Sequence, residues 1–205
     1  MQISIIVRLI ATALMLVFTG SAGAVLIVDQ ENFGGNNTSG SLSNSLSTFG
    51  RAQTFTVGVA GIFDSIDVQL RGGATSARII ATAAGAPIGG SAGSTVLANS
   101  SGVSNVGDIY TFDLSAAGLA VNVGDILAIE LFGTGPWVGT SSNPYAGGAD
   151  YFFNNVSFPN WTIQPDVDLN FRTYVDVVGV PEPTTLALFG LGVLGLRFNS
   201  RKRDI

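Results

Sequence analysis

The sequence predicts an all-β fold, an antiparallel β-sandwich or jelly roll, flanked by a signal peptide and a C-terminal hydrophobic helix. Three observations carry that prediction. Apolar residues recur with a period of two through the middle of the chain. Gly, Asn, Ser and Pro interrupt the pattern at short intervals, as turns between short strands do. The long apolar runs are confined to the two ends. The expected organisation is a signal peptide over residues 1–24, a β-sandwich domain over 25–178 and a separate C-terminal tail over 179–205.

At the N-terminus, Arg8 precedes an apolar run from Leu9 to Phe18, then the small residues Gly20 to Ala24. About ten apolar residues are too few to span hydrocarbon and match the apolar core of a signal peptide, with Ala22 and Ala24 placed for a cut after Ala24.

The body begins at Val25. Ile62, Ile66, Val68 and Leu70 share one face of a strand whose other face carries Ser65, Asp67, Gln69 and Arg71. Tyr110, Phe112 and Leu114 alternate with Thr111 and Asp113, and Leu169, Phe171, Thr173, Val175 and Val177 alternate with Asn170, Arg172 and Asp176. Such alternation marks strands with one face on a core and one in water. Ile126 to Phe132 is apolar except near Glu130 and reads as a central strand. Further strands are expected around Val25–Asp29, Thr54–Val57, Ala77–Ala83, Thr95–Ala98 and Ala149–Asn154. The segment Gly34 to Thr48, rich in Gly, Asn and Ser, reads as a mobile arm or a long loop. The pentapeptide Asn105-Val106-Gly107-Asp108-Ile109 recurs as Asn122-Val123-Gly124-Asp125-Ile126, two similar tight turns each leading into a strand.

Composition excludes several functions. The body carries four arginines against twelve carboxylates and no Lys, a formal charge of about −8, so it should not track a nucleic-acid backbone. There is no Cys and no His, which removes disulfides, thiolate metal sites and the commonest general base; no metal or other cofactor is expected. A Ser nucleophile has no His to activate it. Asp166 with Asp168, sharing one strand face, or Asp64 with Asp67, are the nominal carboxylate pairs for glycoside hydrolysis. The reading favoured here is non-catalytic.

The densest aromatic and polar cluster runs from Pro136 to Trp161. Sugar rings stack on Trp or Tyr while their hydroxyls need Asn and Asp partners, so Trp137, Asn143, Tyr145, Asp150, Tyr151 and Trp161 form the candidate carbohydrate site. The competing reading places these rings in the core.

Pro181 and Pro183 hold the chain extended around Glu182, so no helix enters from upstream. Thr184 to Phe198 is apolar apart from two Thr and Arg197, and as a helix it would be roughly 22 Å long against a hydrocarbon core of about 30 Å. It is a marginal membrane span, with Arg197 snorkelling and Arg201, Lys202 and Arg203 stopping it on the inner face. Val180-Pro181-Glu182-Pro183, the apolar stretch and the basic cluster together resemble the PEP-CTERM sorting signal of Gram-negative bacteria. The resemblance implies export, a transient anchor in the inner membrane and processing by exosortase, a membrane protease. It also implies a cell-envelope or extracellular destination, often alongside exopolysaccharide, which becomes the candidate ligand. Ala52–Val57, Ser142–Gly148 and Asp168–Val175 are similar to a jelly-roll module common in proteins with such tails.

Overall fold

Each alternating segment forms a strand in the computed structural model, which describes residues 24–42, 49–89, 93–142, 144–154 and 157–177. The expected signal peptide up to Gly23, the Pro-Glu-Pro motif, the apolar tail and its basic residues lie outside that set. Among the described residues no helix is long and apolar enough to cross a membrane. The strands are β1 (Val25–Asn32), β2 (Asn37–Ser41), β3 (Phe49–Thr56), β4 (Gly61–Gln69), β5 (Gly73–Ala83), β6 (Ala86–Pro87), β7 (Val96–Asn99) and β8 (Gly102–Val106). They continue as β9 (Ile109–Asp113), β10 (Ala120–Val121), β11 (Ile126–Thr134), β12 (Pro136–Thr140), β13 (Asp150–Asn154), β14 (Phe158–Gln164), β15 (Asp168–Leu169) and β16 (Phe171–Val177).

They form three sheets. The first runs β1-β16-β4-β9-β8, with β10 added beside β4; the second runs β14-β13-β3-β11-β5-β6, with β7 also on β5; the third is β15-β12-β2. Pairing is antiparallel between β4 and both of its main neighbours, and on both sides of β11 and of β13. Residues Leu26–Val177 form one unit.

The first two sheets contribute to one apolar core. Phe55 of the second sheet lies with its ring centre 5.8 Å from Phe63 and 6.0 Å from Phe171 of the first. Ile79, Ile129 and Leu131 join from one sheet, and Ile66, Val68, Phe112 and Val175 from the other, all at 0% exposure. Ile126 to Phe132 is indeed central: β11 pairs with β3 on one edge and β5 on the other, and consecutive residues Leu127 to Leu131 are buried, so both of its faces are covered.

Two sequence expectations are corrected. Phe63, not Ile62, faces the core: Thr173 pairs with Ile66, Tyr174 with Ser65, but Val175 with Phe63, so Asp64 is an extra residue that flips the alternation. A bulge of this kind moves every residue before it to the opposite face. The segment Gly34 to Thr48 is also not simply a loop, because β2 within it pairs with β12. The duplicated pentapeptide does form turns; Gly107 and Gly124 take φ of +63° and +91°.

The bulge gives a test. Phe63→Ala should cost about 3–5 kcal/mol of unfolding free energy, while Ile62→Ala should cost about 1 kcal/mol, measured by urea denaturation. Equal losses would place Ile62 in the core and remove the bulge.

Candidate functional site

Strand register decides where the aromatic cluster goes. Tyr151 of β13 pairs with Ala52 of β3 and with Ile163 of β14, and Ala52 in turn pairs with Glu130. These residues therefore share the outer face of the second sheet, away from the large core. Trp161 joins them, packed over Ala52, Ile80 and Ala128, with its ring centre 6.0 Å from that of Phe153. The β5–β6 hairpin lies against this patch, and Tyr151 donates its hydroxyl to the Gly85 carbonyl at 3.4 Å. The Trp161 indole donates to Ser94 Oγ at 3.3 Å. Both rings are half-buried, and Ile163 beside them is 49% exposed.

The remaining candidates go elsewhere. Trp137 is 0% exposed in β12 and donates its indole N–H to the Asn170 carbonyl at 2.8 Å, so it has no free face on which a sugar could stack. As a stacking platform it is corrected to a core residue. Tyr145 sets its ring edge-on to Phe171 at 5.1 Å and donates its hydroxyl to Gln30 Oε1 at 2.9 Å. Burial pushes that phenol up to about 12. Asn143 lies outside the described residues, as do Val180, Pro181, Glu182, Pro183, Arg197, Arg201, Lys202 and Arg203. The five described candidates are not brought to one place; among them Tyr151 and Trp161 alone share an outward face.

Asp150 points into the core side, because it pairs with Gln53, which is itself buried there. Arg51 meets it with two nitrogens, Nε donating to Oδ1 at 3.0 Å, and also reaches Gln164. Next to this pair Gln53 donates to Asp168 Oδ1 at 3.2 Å and accepts the Leu169 N–H at 2.8 Å, while Asp168 Oδ2 accepts the Tyr145 N–H at 2.8 Å. Two buried carboxylates thus lie near one another, Asp150 held by Arg51 and Asp168 by Gln53 and the Tyr145 N–H. Burial raises the pKa of both, Asp150 to about 6 against the pull of the Arg51 charge. Sequence reasoning missed Arg51 and Gln53; the available signal was a charged and an amide residue at alternate positions of a strand running into Phe55.

These geometries bear on chemistry. Asp168 is buried while Asp166 is exposed in a turn, so they share no strand face, a correction to the expected pair. Asp67 accepts Thr111 Oγ1 at 2.6 Å and the Tyr174 hydroxyl at 2.7 Å, and Asp64 accepts Ser65 Oγ at 2.8 Å. An open groove of about 530 Å³ on the outer face of the first sheet is lined by Asp64, Asp113, Ser104 and Thr111, with no aromatic ring. Among the described residues no three metal-ligating side chains gather.

The Asp150 site has a pH signature. The folded chain holds this proton more tightly than an unfolded Asp of pKa about 3.9 does. Asp150 therefore contributes stability that is fully present below about pH 4 and is lost as pH rises through about 6. Asp150→Asn should flatten this fall in urea midpoints between those pH values; an unchanged slope would assign it to another group.

Residues 179–203 match a family model described as the PEP-CTERM protein-sorting motif. No curated protein and no solved structure matches the chain. The match takes in Val180 to Pro183, Arg197 and the cluster Arg201 to Arg203, and it covers the tail alone. Body and tail together identify a chain whose described residues form an all-β body and which carries a PEP-CTERM protein-sorting motif at residues 179–203.

Proposed function

We propose that this is a non-catalytic exported protein of the Gram-negative cell envelope or extracellular matrix, processed by exosortase at its tail. The observation that carries the proposal is the sorting-motif match over residues 179–203. The described body is read as a β-sandwich of the jelly-roll kind. Two sheets sharing one core through Phe55, Phe63 and Phe171 support that reading.

The proposed ligand is exopolysaccharide, held at the outer face of the second sheet around Tyr151, Trp161 and Ile163. Half-buried rings beside the 49% exposed Ile163 offer the apolar contact a sugar ring needs, at little cost in side-chain order. Support for a non-catalytic role comes from the carboxylates. Asp150 and Asp168 are both 0% exposed and engaged with Arg51 and Gln53, so neither meets a glycosidic bond. The burial of Trp137 and Asp150 favours a second reading, a structural matrix component without a sugar ligand.

Deleting Pro181 to Ile205 should move the protein to a different compartment, followed by fractionation of the exporting cell; unchanged localisation contradicts the sorting reading. For the ligand, the exported protein is titrated with the exopolysaccharide of the same cells. Trp161→Ala should weaken binding at least about fivefold, in line with the roughly 1–3 kcal/mol that one aromatic platform supplies when it stacks on a planar ring. Absence of binding in the parent, or indifference to Trp161→Ala, leaves the structural reading in its place.

A further inference from the structure

Every open sheet has edges, and an edge strand presents unpaired backbone donors and acceptors to any strand that fits. Proteins obstruct such edges with charge, proline, bulges or shortness. The described edges of this chain are obstructed in these ways, with one exception. β1 carries Asp29 and Glu31. β14 contains Pro159 and is broken by a register shift against β13. β6 is two residues long and ends in Pro87. β7 has a register shift against β5, β2 has one against β12, and β15 is two residues long with Asp168 in it.

β8 has none of these devices. Its five residues, Gly102-Val103-Ser104-Asn105-Val106, hold no charge and no proline, and they pair with β9 in unbroken register from Gly102–Asp113 to Val106–Ile109. It is the end strand of the first sheet, and all five residues are exposed, Val103 by 45% and Val106 by 86%. Val103 pairs with Phe112, a core residue, so it stands at the open rim of the core with its far side bare.

We propose that β8 is an association edge for β8 of a second copy of this chain, the two strands running antiparallel about a two-fold axis through Ser104. The sequence of the strand is what selects a second copy. Centred on Ser104, the pairing sets Ser104 opposite Ser104, Val103 opposite Asn105, and Val106 opposite Gly102, which leaves room for the larger side chain. No like charges face one another, although the body as a whole is strongly acidic. The two Val103 side chains meet diagonally and extend the core across the junction. An isologous contact of this kind closes on itself, giving a dimer and not a fibre. Five residues a side make a small interface, well under the area of a standard stable one, so pairing depends on local concentration and suits molecules crowded at a surface.

The chain has no cysteine, which allows a direct test in the full-length protein as exported by its own cell. Directly opposed residues of antiparallel strands have Cα atoms about 4.5–5.5 Å apart, within the range a disulfide bridges. Ser104→Cys should give a covalent dimer under mild oxidation, and Val123→Cys, 67% exposed in a turn, should not. Adding Val103→Lys to Ser104→Cys should abolish that dimer. Sedimentation of the otherwise native chain carrying Ser104→Lys should likewise lose the concentration-dependent dimer of the parent, because two lysines then face each other on the axis. Equal cross-linking at positions 104 and 123, cross-linking that survives Val103→Lys, or a parent that is monomeric at every concentration would each overturn the proposal.

Discussion

The fold turns on Asn170, a buried polar residue at the point where the chain passes from the third sheet to the first. Its side-chain amide donates to the Gly35 carbonyl at 2.9 Å and to Gln69 Oε1 at 2.7 Å, and its oxygen accepts the Gly35 N–H at 3.2 Å. Its backbone N–H donates to Val138 at 2.8 Å, and its carbonyl accepts the Gln69 N–H and the Trp137 indole. A buried amide without partners costs about 1–3 kcal/mol for each group left unmet, so this cluster holds only if all of its members are in place. Gly35 is part of the same constraint: a Cβ there would overlap the Gly139 backbone, and without that close approach Asn170 could not reach it. Trp137 follows as a consequence. A large indole can be wholly buried because its one donor is satisfied by Asn170.

The second sheet obeys the same rule on both of its faces. On the outer face Arg78 meets Glu130 at 2.6 Å, and on the inner face Arg51 meets Asp150. Buried charges persist only when paired and hydrogen-bonded, and breaking such a pair costs more than the pair itself contributes. The inner pair fixes β13 against β3, and β13 carries Tyr151 out to the opposite face. The proposed ligand patch is therefore held by polar bonds on the far side of its own sheet. Acid chemistry is absorbed into architecture here, since the carboxylates with raised pKa are the ones engaged in holding strands together.

Parts of this were legible in the sequence. Alternation across Phe171 to Val177 and Tyr110 to Asp113 maps onto strands without adjustment, because period two survives wherever no residue is inserted; it fails just before, where Leu169 belongs to β15 of the third sheet and Asn170, expected on the wet face, is buried. Asp64 was not legible; a bulge residue looks like any other until a partner strand is present to count against. The aromatic cluster was the hardest part. Trp137 and Trp161 bound the same aromatic and polar stretch of sequence, yet β12 belongs to the third sheet and β14 to the edge of the second, so one indole is core and the other lies half open. Burial of that kind is set by which strands meet, and local pattern does not carry it. The duplicated turns were legible, since positive φ at Gly107 and Gly124 is a local demand that glycine meets directly.

On the proposed reading, the sorting motif at residues 179–203 marks this acidic β-body for export and its tail for removal. The intact mass of the protein recovered from the envelope or medium tests that account most directly. It predicts a chain beginning at Val25 and lacking the apolar stretch after Pro183; a mature protein that still runs through Ile205 would contradict it.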